Sequence, residues 1–162
     1  MTELDSRQVN EYFSRSYKAA DGLWFMKVEE KYGFDTALEI DDEVWKVIPK
    51  IQARMIKQFL GLEQGPGALL EGLRARLELE GFTFTTEKIE NGFRISITDC
   101  PWLNLMIKSG REHLAEKVGK KVCSTEYRVW ASELAENMKF TLRSQKCGKA
   151  EHCILEFVDT ER

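Results

Sequence analysis

The chain has 162 residues, of which 43% are hydrophobic and 31% charged, and a formal net charge of −3. This length suits one ordinary domain, and the composition excludes collagen-like, low-complexity and disordered proteins. The slightly acidic balance provides no basic field for nucleic acid, so we expect no nucleic-acid partner. No apolar run approaches the roughly 20 residues of a membrane span, so we expect no membrane partner either.

The first residues also indicate a cellular compartment. The segment Met1-Thr2-Glu3-Leu4-Asp5 lacks the basic and apolar regions of a secretory signal, so we expect a cytoplasmic protein. In that compartment the four cysteines are expected to be thiols or metal ligands rather than disulfides.

Helical periodicity dominates the first half. A first helix is predicted from an N-cap at Ser6 to a stop at Tyr32-Gly33, with Asp21-Gly22 able to bend or split it. A second helical stretch covers about residues 35–60, with a start or kink near residue 45 because of Pro49. The helical spacing within that stretch predicts a buried stripe of Val44, Ile48, Ile51, Met55 and Phe59.

A third helix is predicted from about Ala68 to Glu80, burying Leu69, Leu70, Leu73 and Leu77. After residue 81 the hydrophobic period changes from 3.6 to 2, which is typical of strands. Asn91-Gly92 predicts a first hairpin. Two helical pieces follow, 102–118 with a break at Ser109-Gly110 and 124–137, and two more strands close the chain.

These elements predict an α+β fold. An N-terminal helical layer packs on a four-stranded antiparallel sheet, made of two hairpins separated by helices. We expect a single domain over residues 1–162, with a helical part at 1–80 and a cysteine-bearing α+β part at 81–162.

The cysteines are the most informative polar residues. Cys100, Cys123, Cys147 and Cys153 each lie at the boundary of a predicted element, and such boundaries can converge in space. Four thiolates can hold a zinc ion or an iron–sulfur cluster. Their spacing matches no Cys-x2-Cys knuckle, so the alternative is that they are small buried apolar residues. Cys123 is predicted to start a helix, where the helix dipole would lower its pKa.

Residues 99–157 resemble the small-molecule-binding domains related to vinyl-4-reductase. In both, a cysteine near the start of a helix precedes two strands whose turn carries Cys…Gly…Cys. The resemblance implies a structural zinc bound through Cys123, Cys147 and Cys153, often with a glutamate three residues before the second cysteine. That position is Ser144 here, so the fourth ligand is open and Cys100 could supply it. Such proteins are often dimers, which implies a homodimer.

A second resemblance covers more of the chain. Its motifs are Asp21-Gly22-Leu23-Trp24-Phe25, Val28-Glu29-Glu30, Gly33, Ala37, Asp41, Val44-Trp45, Asp99-Cys100-Pro101-Trp102 and Cys123. They resemble an uncharacterised archaeal and bacterial family that is distantly similar to L-2-amino-thiazoline-4-carboxylate hydrolases. This resemblance implies hydrolysis of a cyclic C–N bond.

Four further residues are candidates for a site. Glu126 lies one helical turn after Cys123, so it could act as a general base for metal-bound water, or it could be a solvated surface carboxylate. Trp24, Trp45 and Trp102 are candidates for binding a small ligand, although helix packing also explains tryptophans in such places.

Three function classes remain open. The first is a cysteine-ligated metal-binding domain, with zinc as its cofactor, that holds a small molecule as a sensor or carrier. The second is a metal-dependent hydrolase of a cyclic C–N bond. The third is an iron–sulfur redox or electron-transfer protein. Four protein ligands favour a closed structural zinc, and three ligands plus water favour catalysis.

Overall fold

The structure is a computed structural model that describes residues 3–161; Met1 and Thr2, part of the segment assessed for a secretory signal, and Arg162 lie outside the described residues. The described residues fall into two compact units that divide between Asp41 and Asp42. The predicted single domain over residues 1–162, with parts at 1–80 and 81–162, stays a prediction.

Helix α1 (Ser6–Tyr32) forms most of the first unit. The backbone N–H of Gln8 donates to the Asp5 carboxylate at 2.8 Å, and the backbone N–H of Asp5 donates to the Gln8 side chain at 2.9 Å. This capping box makes Asp5 the N-cap, so the prediction of Ser6 was wrong by one residue. The helix ends where predicted and continues through Gly22 without a break.

Two helices replace the predicted second stretch. Helix α2 covers Phe34–Trp45 and α3 covers Ile48–Leu60, so the predicted break near residue 45 is confirmed. Pro49 lies in the first turn of α3, where its missing N–H costs no helical hydrogen bond.

The predicted buried stripe is wrong. Val44, Ile51, Met55 and Phe59 are exposed, and Ile48 is only half-buried. The buried residues of α3 are instead Pro49, Ala53 and Ile56. Helix α3 contacts α4 and a later helix, and the small side chain of Ala53 allows this close approach. The larger apolar residues occupy the other side of α3.

Helix α4 (Pro66–Glu80) matches its prediction closely. Leu69, Leu73 and Leu77 are completely buried, and Leu70 is half-buried. These leucines belong to one core cluster with side chains from α3, from the sheet and from the last long helix.

The α+β prediction is confirmed by a four-stranded antiparallel sheet. Its strands are β1 (Thr83–Ile89), β2 (Gly92–Asp99), β3 (Met138–Ser144) and β4 (Cys153–Asp159), in the order β1-β2-β4-β3. Asn91 adopts a φ of 58° in the first hairpin turn, as the Asn-Gly signal predicts. The pairing of Phe93 with Phe157 stacks two rings at the centre of the core.

Two helices connect the hairpins. Helix α5 covers Pro101–Lys108 and α6 covers Glu112–Leu134. The predicted break at Ser109-Gly110 is confirmed, but a separate helix starting at Ser124 is not, because α6 continues through that region. Among residues 3–161, no helix combines the length and apolar character needed to cross a membrane.

Glu156 on β4 gives the sheet a pH-dependent stability. Arg143 Nε donates to its carboxylate at 2.8 Å and Arg94 Nη2 at 2.7 Å. The Arg143 hydrogen bond, followed by that of Arg94, holds the pKa of Glu156 below its ordinary value. A lowered pKa means that this contribution is present above the unfolded-state pKa and is lost as pH falls through the folded-state pKa.

We therefore expect Glu156→Gln to melt below the wild type at neutral pH, with a gap that closes in acid. Thermal unfolding followed across pH checks this. Glu90→Gln, at an exposed position next to the hairpin turn, is the control. A gap that stays constant down to acidic pH would contradict the assignment.

Candidate metal centre

The four cysteines come from elements that meet at one end of the sheet. Cys100 follows β2, Cys153 begins β4, and Cys147 lies in the 3-10 turn Lys146–Gly148 between β3 and β4. Cys123 lies on α6, which contacts that turn. The C-terminal end of β2 and the N-terminal end of β4 coincide because the two strands are antiparallel. Topology therefore brings the predicted metal-binding residues to one region.

All four cysteines are free thiols and are half-buried. Their surroundings raise the pKa of each. Burial raises the pKa of Cys100 to about 11 and that of Cys147 to about 11. Burial also raises the pKa of Cys153, and it raises the pKa of Cys123 well above its ordinary value. Glu126 and the other three cysteines raise the pKa of Cys123 further. The four thiols thus lie near enough to influence one another's ionisation, and a cation among them would favour their thiolate forms.

Backbone N–H groups are directed at two of the sulfurs. The N–H of Lys146 donates to Sγ of Cys153 at 3.2 Å. The amides of Leu103 and Trp102, at the start of α5, partly offset the rise in the pKa of Cys100. Such N–H groups stabilise a thiolate more than a thiol, because the charged sulfur is the stronger acceptor.

The sulfurs as placed do not form a coordination group. Within residues 3–161, no three histidine, cysteine, aspartate or glutamate side chains are arranged to hold a metal ion. Ser144, where vinyl-4-reductase-type domains often carry glutamate, donates its hydroxyl to the carbonyl of His152 at 2.7 Å. A shared metal ion would require the thiols to move closer together, so the four-cysteine site stays a prediction.

Gly119 allows α6 to approach the cysteine-bearing turn. A Cβ at this position would lie 2.9 Å from Sγ of Cys147 and closer still to Nε2 of Gln145. Gln145 follows β3 and is only 8% exposed. A glycine at this point of α6 therefore leaves room for both the Cys147 thiol and the buried amide.

Glu126 occupies a buried ionic network and not a solvated surface. Its carboxylate pairs with Arg76 of α4, and both side chains are buried. Arg76 Nε also contacts Glu80 at 3.1 Å, and the Trp102 indole N–H donates to Glu80 at 3.0 Å. An ion-paired carboxylate is better suited to fixing the position of α6 than to taking a proton from water; its predicted role as a general base stays a prediction.

Two of the three predicted ligand-binding tryptophans contact each other. The rings of Trp45 and Trp102 meet edge to face with centroids 5.7 Å apart, and Trp45 is buried. Trp24 belongs to the first unit and is 73% exposed. None of these tryptophans lines the open groove of about 490 Å³ between α4 and β1, whose lining residues are Arg74, Glu78 and residues 82–86.

The structure corrects the prediction that a helix start lowers the pKa of Cys123. This residue lies in the interior of α6 and not at a helix start, so no helix N-terminus lowers its pKa. Burial, followed by the charge of Glu126, raises it instead. Cys147, in the turn between β3 and β4, is half-buried.

Sequence reasoning missed Arg76, Glu80 and Gln145. Arg76 does leave a signal, since it falls on the same helical face as Leu69, Leu73 and Leu77. A cation on an apolar face calls for a buried carboxylate partner. Gln145 gives no comparable signal, because a lone glutamine near the end of a strand is ordinary.

The comparisons with known proteins give a family but no activity. No curated protein and no solved structure matches the chain. The sequence model of a family of unknown function, DUF6125, matches residues 5–158, nearly the whole chain. The chain therefore belongs to the DUF6125 family.

Proposed function

We propose that this chain is a cysteine-ligated metal-binding protein that holds a small molecule, as a sensor or a carrier. The observation that carries the proposal is the gathering of Cys100, Cys123, Cys147 and Cys153, which come from separate elements and act on one another's ionisation. Structural cysteines that serve only as apolar filling have no need to lie near one another.

The donor set fits zinc best. Four thiolates satisfy the tetrahedral preference of zinc and leave no open position, which is typical of a structural site. When bound, zinc would supply a charge that holds the ends of β2, β3 and β4 against α6. The sulfurs must draw together for this, and the short turn that carries Cys147 is the part of the site with the least regular secondary structure.

The hydrolase alternative is less well supported than zinc, whereas the iron–sulfur alternative uses the same four cysteines. In the hydrolase alternative Glu126 would activate water, but its carboxylate is buried and paired with Arg76. In the iron–sulfur alternative the same four cysteines would hold a cluster, and the N–H groups directed at Cys100 and Cys153 are compatible with that as well.

The small-molecule part of the proposal rests on the resemblance to vinyl-4-reductase-type domains. Trp45 and Trp102 are its candidate binding residues, and their rings pack edge to face. Trp102 lies two residues after Cys100, and its indole N–H donates to Glu80. A ligand bound at these two rings would therefore lie close along the chain to one residue of the proposed metal site. A cytoplasmic location belongs to the proposal too, since reduced thiols need a reducing compartment.

The deciding experiment is anaerobic purification followed by elemental analysis and a visible spectrum. The expected result is colourless protein with one zinc per chain, lost when all four cysteines are changed to serine. His113→Gln, at an exposed position of α6, is the control and should retain its zinc. Iron with sulfide and visible colour would replace zinc by a cluster. Protein that contains neither metal, even after reconstitution, would overturn the proposal.

We also propose that the chain forms a homodimer. All of α1 is described and none of its residues is buried, while Tyr12, Phe13 and Trp24 are largely exposed. Exposed aromatic surface of this kind is typical of interaction sites. Light scattering should give the mass of two chains, and Trp24→Glu should shift it to one; a monomeric wild type at micromolar concentration would contradict the dimer.

A further inference from the structure

Helix α1 leaves one of its faces uncovered. The opposite face is half-buried, and Phe25 on that face contacts Phe34 at the start of α2, with ring centroids 5.8 Å apart. Because each residue turns the helix by about 100°, the uncovered side collects large apolar residues from both ends of α1. Each of them is between 39% and 73% exposed. They form the α1 stripe, which consists of Val9, Tyr12, Phe13, Leu23 and Trp24.

The large residues of the α1 stripe are spaced symmetrically along the helix. Tyr12 and Trp24 each lie six residues from position 18, and Phe13 and Leu23 each lie five residues from it. A second copy of α1 laid antiparallel, with its midpoint at the same place, would therefore bring Phe13 against the partner's Leu23 and Tyr12 against the partner's Trp24. A two-fold axis repeats both contacts, as a closed dimer requires.

The middle of the α1 stripe carries only small side chains. Ser16 and Ala20 lie two residues on either side of position 18 and are exposed on the same side of the helix as the large residues. Small residues let the axes of two helices approach closely, so the large residues at both ends can interdigitate. Lys18 itself belongs to the half-buried face, so the two copies of this lysine would not meet.

Charges at the ends of the α1 stripe favour the antiparallel arrangement. Asp5 and Lys31 are exposed and each lies 13 residues from position 18. In an antiparallel pair each Lys31 lies opposite the partner's Asp5, whereas a parallel pair would bring like charges together at each end. The helix dipoles also oppose a parallel pair. Lys27 adds no net charge, because it pairs with Glu30 of its own helix at 2.9 Å.

The α1 stripe is also large enough for a dimer contact. An aromatic side chain buries about 150 to 250 Å² when it is fully covered. Partial cover of three aromatic side chains from each copy, together with Val9 and Leu23, would bury on the order of 1,000 Å² in total. Specific protein interfaces begin at about that size.

We propose that two copies of the chain dimerise through their α1 stripes in antiparallel orientation. Phe13 of each copy packs against the partner's Leu23, and Tyr12 packs against the partner's Trp24. This inference rests on the proposed homodimer and names the surface and the orientation that form it. It is independent of the cysteines and of any metal ion.

Two substitutions test the orientation. Phe13→Glu and Leu23→Lys each place a charge in an apolar contact that the two-fold axis repeats, so each should raise the dissociation constant of the dimer by about 100-fold. In the antiparallel pair, the double variant Phe13→Glu/Leu23→Lys brings the new carboxylate against the partner's new ammonium group. It should therefore dimerise about tenfold more tightly than either single variant. Analytical ultracentrifugation of the full chain over a dilution series measures these constants.

Asn10→Glu is the matched control. It adds the same charge as Phe13→Glu at an exposed position of α1 outside the stripe, so its dissociation constant should equal that of the wild type. Far-UV circular dichroism should show the same helix content in all variants, because the substituted side chains are exposed.

The outcomes separate the dimer from its arrangement. A wild type that stays monomeric at micromolar concentration overturns the homodimer and the arrangement with it. A dimer that neither Phe13→Glu nor Leu23→Lys weakens forms through another surface, which overturns only the arrangement. If both single variants weaken the dimer and the double variant dimerises no better than they do, the helices do not pair in antiparallel orientation and the proposal fails.

Discussion

Replacing Arg76 with leucine lowers the free energy of unfolding by about 3–5 kcal/mol, the cost of leaving buried charge without its partner. Only 3% of the Arg76 side chain is exposed, and it pairs with both Glu80 and Glu126. Its guanidinium also lies over the ring of Phe82, 5.1 Å from the centroid. Leucine fills part of the volume but takes the Arg76 cation away from the buried carboxylate of Glu126 and the half-buried one of Glu80. Urea unfolding measures the loss.

The same helix provides a matched control. Arg74 pairs with Glu71 at 3.3 Å, but both side chains are about half exposed. Arg74→Leu should therefore cost at most about 1 kcal/mol, as exposed ion pairs usually do. Adding Glu126→Leu to Arg76→Leu should recover part of the lost stability, because it removes one of the orphaned charges. A loss no larger for Arg76→Leu than for Arg74→Leu would show that the network does not hold α4 to α6.

This network also bears on the cysteines. Arg76 and Glu126 lie close enough to act on their ionisation, since Arg76 lowers the pKa of Cys100 and Glu126 raises that of Cys123. The ion pair thus fixes the helix that carries Cys123 and sets part of the charge around the sulfurs. A carboxylate with that task would lose it on becoming a free general base, so for the proposed metal site a structural role is favoured over hydrolysis.

The strands were predictable from the sequence, whereas one helix face was not. Phe93, Ile95 and Ile97 alternate with polar residues, and a period of 2 assigns one face of a strand to the core without ambiguity. Helix α3 carries apolar residues on two faces. Its small Ala53 faces the core and its large Phe59 does not, and that choice depends on how closely neighbouring helices approach. No local pattern contains that information.

The candidate site, too, was predictable from the sequence only in part. Cys100 and Cys153 were placed correctly at element boundaries because turn and strand signals are local, whereas Cys147 lies beyond the end of β3, in the turn that follows. Cys123 was predicted at a helix start, but it lies inside α6. The sequence has no stop signal strong enough to interrupt the helix there, and packing on the core stabilises α6. Glu126, the partner of Arg76 on α6, and Gly119, the neighbour of Gln145, come from distant parts of the chain, so only the fold reveals them.

Removing the metal should destabilise the cysteine end of the molecule by several kcal/mol, because the free energy of metal binding is part of the free energy of folding. Protein purified anaerobically with stoichiometric zinc is treated with a chelator, and urea unfolding is compared before and after. The Cys100/Cys123/Cys147/Cys153→Ser variant is the control, since chelation should not change its unfolding. Equal stability before and after chelation, in protein shown to carry the metal, would contradict the site.

The loss should also be local, and hydrogen exchange can show where it occurs. The amides of Gly148 and Ala150 both donate to the carbonyl of Gln145, at 3.0 and 3.1 Å, within the turn that carries Cys147. They should exchange much faster once the metal is removed, because nothing but the turn itself then protects them. The amide of Leu155, in the centre of the sheet, should change least. An equal rise in the exchange rate of all three amides would mean that the metal stabilises the whole fold and not this end of the sheet. An unchanged exchange rate at Gly148 would place the metal elsewhere.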